Sequence, residues 1–174
     1  TTSIVGANKD VILAKTCVLV VDDEPIGREM MAENLTYEGY LVVEADSGEA
    51  AWDLIDAEPA RFHVILLDRL MPDMDGIDVL RRMKARPETM HLPVIMQTGM
   101  TADSEVLEGL KAGAYYYLTK PFAADTLLAI VAAAARDYYS RQALAEEVKR
   151  QGNVLSCLAE ARFIFRTPQE ARDL

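Results

Sequence analysis

Short apolar runs alternate along the chain with longer amphipathic stretches. Val18 to Val21, His63 to Leu67 and Pro93 to Gln97 are nearly unbroken apolar runs without polar alternation, the pattern of strands buried on both faces. Tyr40 to Glu44 and Tyr115 to Leu118 add two more predicted strands. Between them the apolar residues fall at helical spacing. Ile26, Met30, Met31, Leu35 and Tyr37 predict a helix over 26–38 that Gly39 stops. Ser47 caps a second helix, with Ala50, Ala51, Leu54 and Ile55 inward until Pro59. A third runs from Ile77 to about Arg86, after the turn-rich segment Arg69–Gly76, and a fourth from a Thr101 cap to Gly113. From Ala123 the helical pattern continues for a long way. Five β/α units in about 120 residues predict an α/β fold, a doubly wound parallel sheet covered by helices on both faces.

Charge and cysteine content narrow the possible partners. The 174 residues carry a formal charge of −10, and residues 1–135 hold 22 acidic against 11 basic side chains, whereas residues 136–174 hold 6 against 7. An acidic first part argues against general attraction to nucleic acid or anionic membrane. Cys17 and Cys157 have no metal-ligand spacing, which fits a reduced, cytoplasmic setting. The longest apolar run, Leu127 to Ala135, is too short to span a bilayer, and no signal peptide opens the chain. The first residue is not Met, so the sequence is expected to start inside a longer protein.

The polar residues that interrupt this pattern carry the chemistry. Val18–Val21 runs straight into Asp22, Asp23 and Glu24; the third strand runs into Asp68, the fourth into Thr98, the fifth into Thr119 and Lys120. In open α/β sheets the carboxyl edge is where ligands bind. Crowded carboxylates raise one another's pKa unless a cation lies between them, and oxygen ligands suit Mg²⁺. Singly, each residue also has a structural reading: the acids open a turn before Pro25, Asp68 or Thr98 caps a turn or helix, and Lys120 is a solvated lysine. Together, the carboxylates, ammonium and hydroxyl suffice for phosphoryl transfer to a carboxylate, which can hold an acyl phosphate.

With these motifs in view, residues 17–135 resemble the receiver domain of bacterial two-component response regulators. The resemblance rests on Val18-Leu-Val-Val-Asp-Asp-Glu-Pro25, Leu66-Leu-Asp68 followed by Met71-Pro-Asp-Met-Asp-Gly76, Thr98 after the fourth strand, and Lys120-Pro-Phe122. It implies a flavodoxin-like sheet of order 2-1-3-4-5. It further implies that Asp68 is the phosphoacceptor, that Asp23 and Asp68 bind Mg²⁺ with Asp22 close by through water, and that the main-chain carbonyl of Arg69 is a further ligand. Lys120, beside a cis peptide to Pro121, contacts the phosphoryl group, and Thr98 and Tyr117 form the switch pair. Tyr117 also reads as an ordinary half-buried strand aromatic. The implied donor is a sensor histidine kinase or phosphotransfer protein. Gly99 stands where the family often has Ala. Leu70 and Met100 are apolar at positions that adjust phosphate hydrolysis, which leads to the expectation that they shield the acyl phosphate. Arg69 itself reads as a solvated side chain.

Beyond the receiver, Leu127, Ile130, Ala134, Asp137, Arg141, Leu144, Val148, Gln151, Leu155 and Leu158 keep a four-three spacing, polar at several positions. The expected organisation is a lead-in over 1–16 with a turn near Asp10–Leu13, the receiver over 17–135, a linker or dimerisation helix over 136–162, and the start of a truncated output domain over 163–174. Arg162–Arg166 alternates like a strand, and Thr167-Pro-Gln-Glu170 forms a capping box. Phe165–Arg172 resembles the opening of histidine-kinase-like ATPase domains of the anti-sigma type. A homodimer is expected through the long helix or the face after the fourth strand. No basic recognition helix is present, so no nucleic-acid partner is expected within this stretch, and no membrane. Two other classes are an aspartyl-phosphate phosphatase or phosphotransferase, which needs a second acid and a substrate pocket, and a receiver-like scaffold that works without phosphorylation.

Overall fold

The structure is a computed structural model and describes residues 13–99 and 103–164, with side chains as far as residue 157. Apolar strands of five residues, too short for helices and flanked by turn formers, build the centre. These are β1 (Cys17–Val21), β2 (Leu41–Ala45), β3 (Val64–Asp68), β4 (Val94–Thr98) and the four-residue β5 (Tyr116–Thr119). They form one all-parallel sheet in the order β2-β1-β3-β4-β5, the order implied by the receiver resemblance. The helices are α1 (Pro25–Glu38), α2 (Gly48–Ala57), α3 (Gly76–Lys84), α4 (Asp103–Lys111) and α5 (Ala124–Ile164).

Strand alternation divides the core into two layers. Leu19, Val21, Ile65, Leu67, Val94 and Met96 face α2 and α3 through Ile55, Ile77, Leu80 and Met83, and Tyr117 joins them. Val18, Val20, Val64, Leu66, Ile95 and Leu118 face the other way, onto Met31 and Leu35 of α1 and Leu127 and Val131 of α5. β1, β3 and β4 are buried along their whole length, which is why their sequences show no polar alternation. The edge strand β2 exposes Leu41 and Glu44 and reads more polar accordingly.

β2 to β5 begin and end one residue later than the apolar runs predict. The ladder extends onto the first polar residue, so Asp68 pairs with Gln97 and Thr98 with Thr119. Thus Asp68 and Thr98 stand on the last rung of the sheet rather than in the loops beyond it. Ser47 caps α2 through its hydroxyl, as expected, accepting the Ala50 N–H at 3.2 Å. The β3–α3 loop reinforces that cap: the Asp73 carboxylate accepts the N–H groups of Gly48 and Glu49 at 3.2 and 2.9 Å; burial alone would raise its pKa, but these bonds and those from the Asp73 and Met74 N–H groups together outweigh it and hold the pKa below the usual carboxylate range.

The chain forms two compact units that divide between Tyr138 and Tyr139. Tyr138 belongs to the first because its ring meets His63 edge-on at 5.2 Å and His91 at 5.8 Å. In the second unit the described residues are helical, with Leu144, Val148 and Leu155 exposed. The strand expected from Arg162 is corrected: the backbone through Ile164 is still helix, because extending an existing helix is far easier than nucleating a new element. The expected turn over residues 10–13 lies mostly outside the described residues, as do the Thr101 cap, the capping box at 167–170 and the ATPase-like stretch. Among the described residues no helix is long and apolar enough to cross a membrane.

One close approach fixes the loop that carries β3 into α3. A Cβ on Gly76 would lie 2.3 Å from the Asp68 carbonyl oxygen and 3.1 Å from Arg69 Cα. Gly76→Ala is therefore expected to lower the unfolding free energy by about 1–3 kcal/mol, read from urea denaturation. Gly99→Ala, whose Cβ meets nothing within 4 Å, should stay within about 0.5 kcal/mol of the parent; equal midpoints for the two variants would contradict the assignment.

Candidate phosphoacceptor and metal site

Backbone hydrogen bonds past the strand ends bring the predicted residues to one edge. The Asp22 N–H donates to Ala45 O at 3.2 Å, Arg69 N–H to Gln97 O at 2.8 Å, and Lys120 N–H to Thr98 O at 2.7 Å. The loops after β1, β3 and β5 are thereby held in register with their neighbours. Asp22, Asp23 and Asp68 each offer a carboxylate oxygen, all within 4.8 Å of one another. Asp22 and Asp68 are buried and Asp23 is half-buried. Lys120, across a cis bond to Pro121, sends its ammonium into the cluster and donates to Asp22 Oδ2 at 2.8 Å, with Asp68 Oδ1 at 3.6 Å.

The two oxygens of Asp22 are both engaged, since Oδ1 accepts the Glu24 N–H at 2.9 Å. Arg28 Nη1 pins the Asp22 carbonyl at 2.8 Å. Three carboxylates against one ammonium leave the cluster short of positive charge, and its donor set is all oxygen, so a hard divalent cation fits it. The electrostatics agree. Burial pushes the Asp68 carboxyl up to about 6; Lys120 pulls it down, while Asp22 and Asp23 push it further up. For Lys120, burial works to lower the pKa, but the hydrogen bond it donates to Asp22 and the charges of Asp68 and Asp22 outweigh it and leave the ammonium above its ordinary range.

Two expectations about Arg69 need correction. Its N–H donates to the Gln97 carbonyl of β4 at 2.8 Å. The Arg69 carbonyl accepts the Gly76 N–H at 2.8 Å, so it is taken up in securing the start of α3. Nor is the side chain solvated. It is 7% exposed, because Glu108 on α4 and the Tyr117 hydroxyl accept its hydrogen bonds at 2.7 and 3.3 Å. The pairing residues lie 39 and 48 positions away in sequence, and neither α4 nor β5 carries a local signal of it.

Thr98 is buried, and Tyr117 is turned inward and 9% exposed. Both project from the sheet face that bears α2 and α3, Tyr117 in register with Met96 and Thr119 with Thr98. The Tyr117 ring fits over α4 only because position 109 lacks a side chain: a Cβ there would come within 2.5 Å of Cε2. Leu70 is 54% exposed; Met100 lies outside the described residues. Sequence reasoning also missed Asp73, Gly76, Gly109 and Glu108. Asp73 and Gly76 stand in the turn-rich segment already singled out, and the remaining two gave no signal of their own.

Comparison with known proteins agrees with this geometry. The response regulator receiver domain family matches residues 18–132. The response regulator MprA of Mycolicibacterium vanbaalenii is 40% identical over 119 residues, 68% of this chain and 50% of that protein. The phosphate regulon transcriptional regulatory protein PhoB of Pseudomonas aeruginosa is 38% identical over 120 residues, 68% of this chain and 51% of its own length. The chain thus spans about half the length of the curated relatives it matches. Among solved structures, the chemotaxis protein CheY4 of Vibrio cholerae aligns with a TM-score of 0.64 at 34% identity, covering 70% of this chain and 99% of that one. Fold, strand order and family match converge, and the chain belongs to the response regulator receiver family, the signalling domains of two-component systems.

Proposed function

We propose that Asp68 accepts a phosphoryl group from a histidine kinase or phosphotransfer protein, and that the resulting charge switches the α4–β5 face to control an output or partner. The observation that carries this reading is the pairing of a buried, charge-starved Asp68 with Lys120, beside two further acids at the same sheet edge. Asp23 and Asp68 would hold Mg²⁺. Asp22, with both oxygens already engaged, orients Lys120 beside it. When bound, the cation neutralises charge on the incoming phosphoryl group and on the carboxylates around it.

The chain's own residues do the rest. Asp68 is the nucleophile: one carboxylate oxygen forms the new P–O bond as the donor's P–N bond breaks, and the electron pair leaves with the donor imidazole. Lys120 stabilises the equatorial oxygens, and in this way the domain assists its own phosphorylation. Thr98, on the last rung of β4, donates its hydroxyl to the phosphoryl group, and Tyr117 occupies the space beside it. A phosphatase acting on many substrates is disfavoured because it would need a second acid and a substrate pocket, whereas Lys120 and Arg28 at this edge are each bound to Asp22 and the segment after Asp68 is built of turn residues. The helical unit supplies a second contact in our reading: Leu144, Val148 and Leu155, exposed at four-seven spacing, form a seam for a second copy.

Three outcomes test these assignments. Incubated with Mg²⁺ and acetyl phosphate, the wild-type chain should gain one phosphoryl group by intact mass, and Asp68→Asn none. Lys120→Gln should slow the gain at least tenfold, about 1.4 kcal/mol of transition-state stabilisation; equal modification of wild type and Asp68→Asn would move the acceptor elsewhere.

The second test uses pH. The Asp68 carboxyl titrates near 6 in the folded protein, above its unfolded value. Its stabilising contribution is then full below pH 4 and lost as pH rises through 6. In metal-free protein, Asp68→Asn should therefore melt higher than wild type above pH 6, with the gap closing toward pH 4, as measured by thermal denaturation. A gap independent of pH would contradict the raised pKa. Third, Leu144→Glu combined with Leu155→Glu should render the chain monomeric at concentrations where wild type sediments as a dimer.

A further inference from the structure

Arg69 is the most heavily committed side chain near the site, and the switch just described leaves it without a role. Its guanidinium reaches four groups on three elements. Nη2 donates to Glu108 Oε2 at 2.7 Å, Nη1 to the Glu105 carbonyl at 3.2 Å and to the Tyr117 hydroxyl at 3.3 Å, and Nε lies 3.4 Å from Asp75 Oδ1. Glu108 is shared with Arg81 of α3 at 3.1 Å. One cation thus joins the start of α3, the middle of α4 and the hydroxyl of the switch tyrosine. Its own backbone is fixed by the strand pairing to Gln97 and by the Gly76 contact, so the guanidinium is anchored to the residue next to the phosphoacceptor.

Burying a guanidinium is costly unless its donors are matched. Here the two Nη groups are matched from α4 and β5, while Nε makes no hydrogen bond and has only the charge of Asp75 beside it, so the cost of breaking the set falls on any movement of α4 and β5 relative to β3. An Arg fork is also geometrically demanding, unlike a lysine. The glycine at 109 completes the arrangement by admitting the Tyr117 ring beneath α4. The inward Tyr117 and the seated α4 are thus held by contacts already present before any phosphoryl group arrives.

We propose that Arg69 is a positioning residue that holds α4 and Tyr117 in the inward arrangement in the unphosphorylated protein and mechanically couples the Asp68 backbone to the α4–β5 face. The inference rests on the receiver reading only for its second half; the holding action is a property of the free protein. In the coupled step, a shift of the β3 end on phosphorylation is carried by the Arg69 backbone to its guanidinium, and from there to Glu108 and Tyr117. No bond to the phosphoryl group is required of Arg69.

Amide hydrogen exchange on the full 174-residue chain tests this, with α2 as the internal reference. Arg69→Met keeps the apolar stem and removes the charge. Without Mg²⁺ or beryllofluoride, this variant should exchange the α4 amides and those of the Tyr117 segment at least tenfold faster than wild type, while α2 stays within twofold. Glu108→Gln, on the surface side of the pair, should give a smaller rise in the same segments, and combining it with Arg69→Met should add nothing further. Rates in α4 within twofold of wild type for both single variants, or an equal rise in α2, would overturn the holding role. Should Arg69→Met not fold, Glu108→Gln and Tyr117→Phe carry the test by the same criterion. Adding Mg²⁺ and beryllofluoride then reads the coupling: wild-type α4 rates should change while those of Arg69→Met change at least fivefold less. Equal responses would overturn the coupling. A wild type that binds no beryllofluoride would instead overturn the assignment of Asp68 and leave the free-protein comparison standing.

Discussion

Everything at the carboxyl edge of this sheet follows from placing three carboxylates where water cannot fully solvate them. Asp22 and Asp68 are buried, Asp23 is half-buried, and a single ammonium, that of Lys120, stands among them. The strands create this condition. β1 and β3 are buried on both faces, so the first polar residues beyond their apolar runs emerge side by side into a shallow, low-dielectric edge. Burial, with repulsion from Asp22 and Asp23 added to it, keeps Asp68 only weakly committed to its charged form and leaves the cluster in need of cations. A site that recruits a divalent ion and then a phosphoryl group is what such a deficit is suited to accept.

The scaffold supports the edge by contacts that serve stability and chemistry together. The Gly76 backbone sits so close to the Asp68 carbonyl that no side chain can intervene. The same loop sends Asp73 back to cap α2. The Arg69 carbonyl is taken by Gly76, and its guanidinium by α4 and Tyr117. The segment from Asp68 to Gly76 is thus tied to α2, α3, α4 and β5 within nine residues, which makes it the natural place for a chemical event to be felt by the rest of the domain.

Much of this was legible in the amino-acid sequence, for a physical reason. Strands buried on both faces must be apolar, so Asp22, Asp23, Asp68, Thr98 and Lys120 stand out where the apolar runs stop, and parallel topology brings those stops to one edge. The Ser47 cap was equally local and equally readable, whereas the cis peptide before Pro121 was expected only from the receiver resemblance. Arg69 was not readable: whether an arginine is solvated or buried depends on partners 39 and 48 residues away, and its carbonyl is taken by the Gly76 N–H across the loop. The strand-like alternation from Arg162 misled because short-range pattern competes poorly with a helix already under way. Glycines 76 and 109 could be read as turn or helix residues, but their need for a missing side chain is set by what packs against them.

The central claim is that Lys120 and a divalent cation share the neutralisation of one acidic cluster. Calorimetric titration of Mg²⁺ into the wild-type chain, Lys120→Gln and Asp23→Asn at pH 7.5 and constant ionic strength, chosen because Debye screening weakens exposed charges more than buried ones, tests it most directly. The account predicts tighter binding by severalfold in Lys120→Gln, where a competing cation is gone, and binding weakened by at least tenfold in Asp23→Asn. Indistinguishable affinities in all three proteins would contradict it.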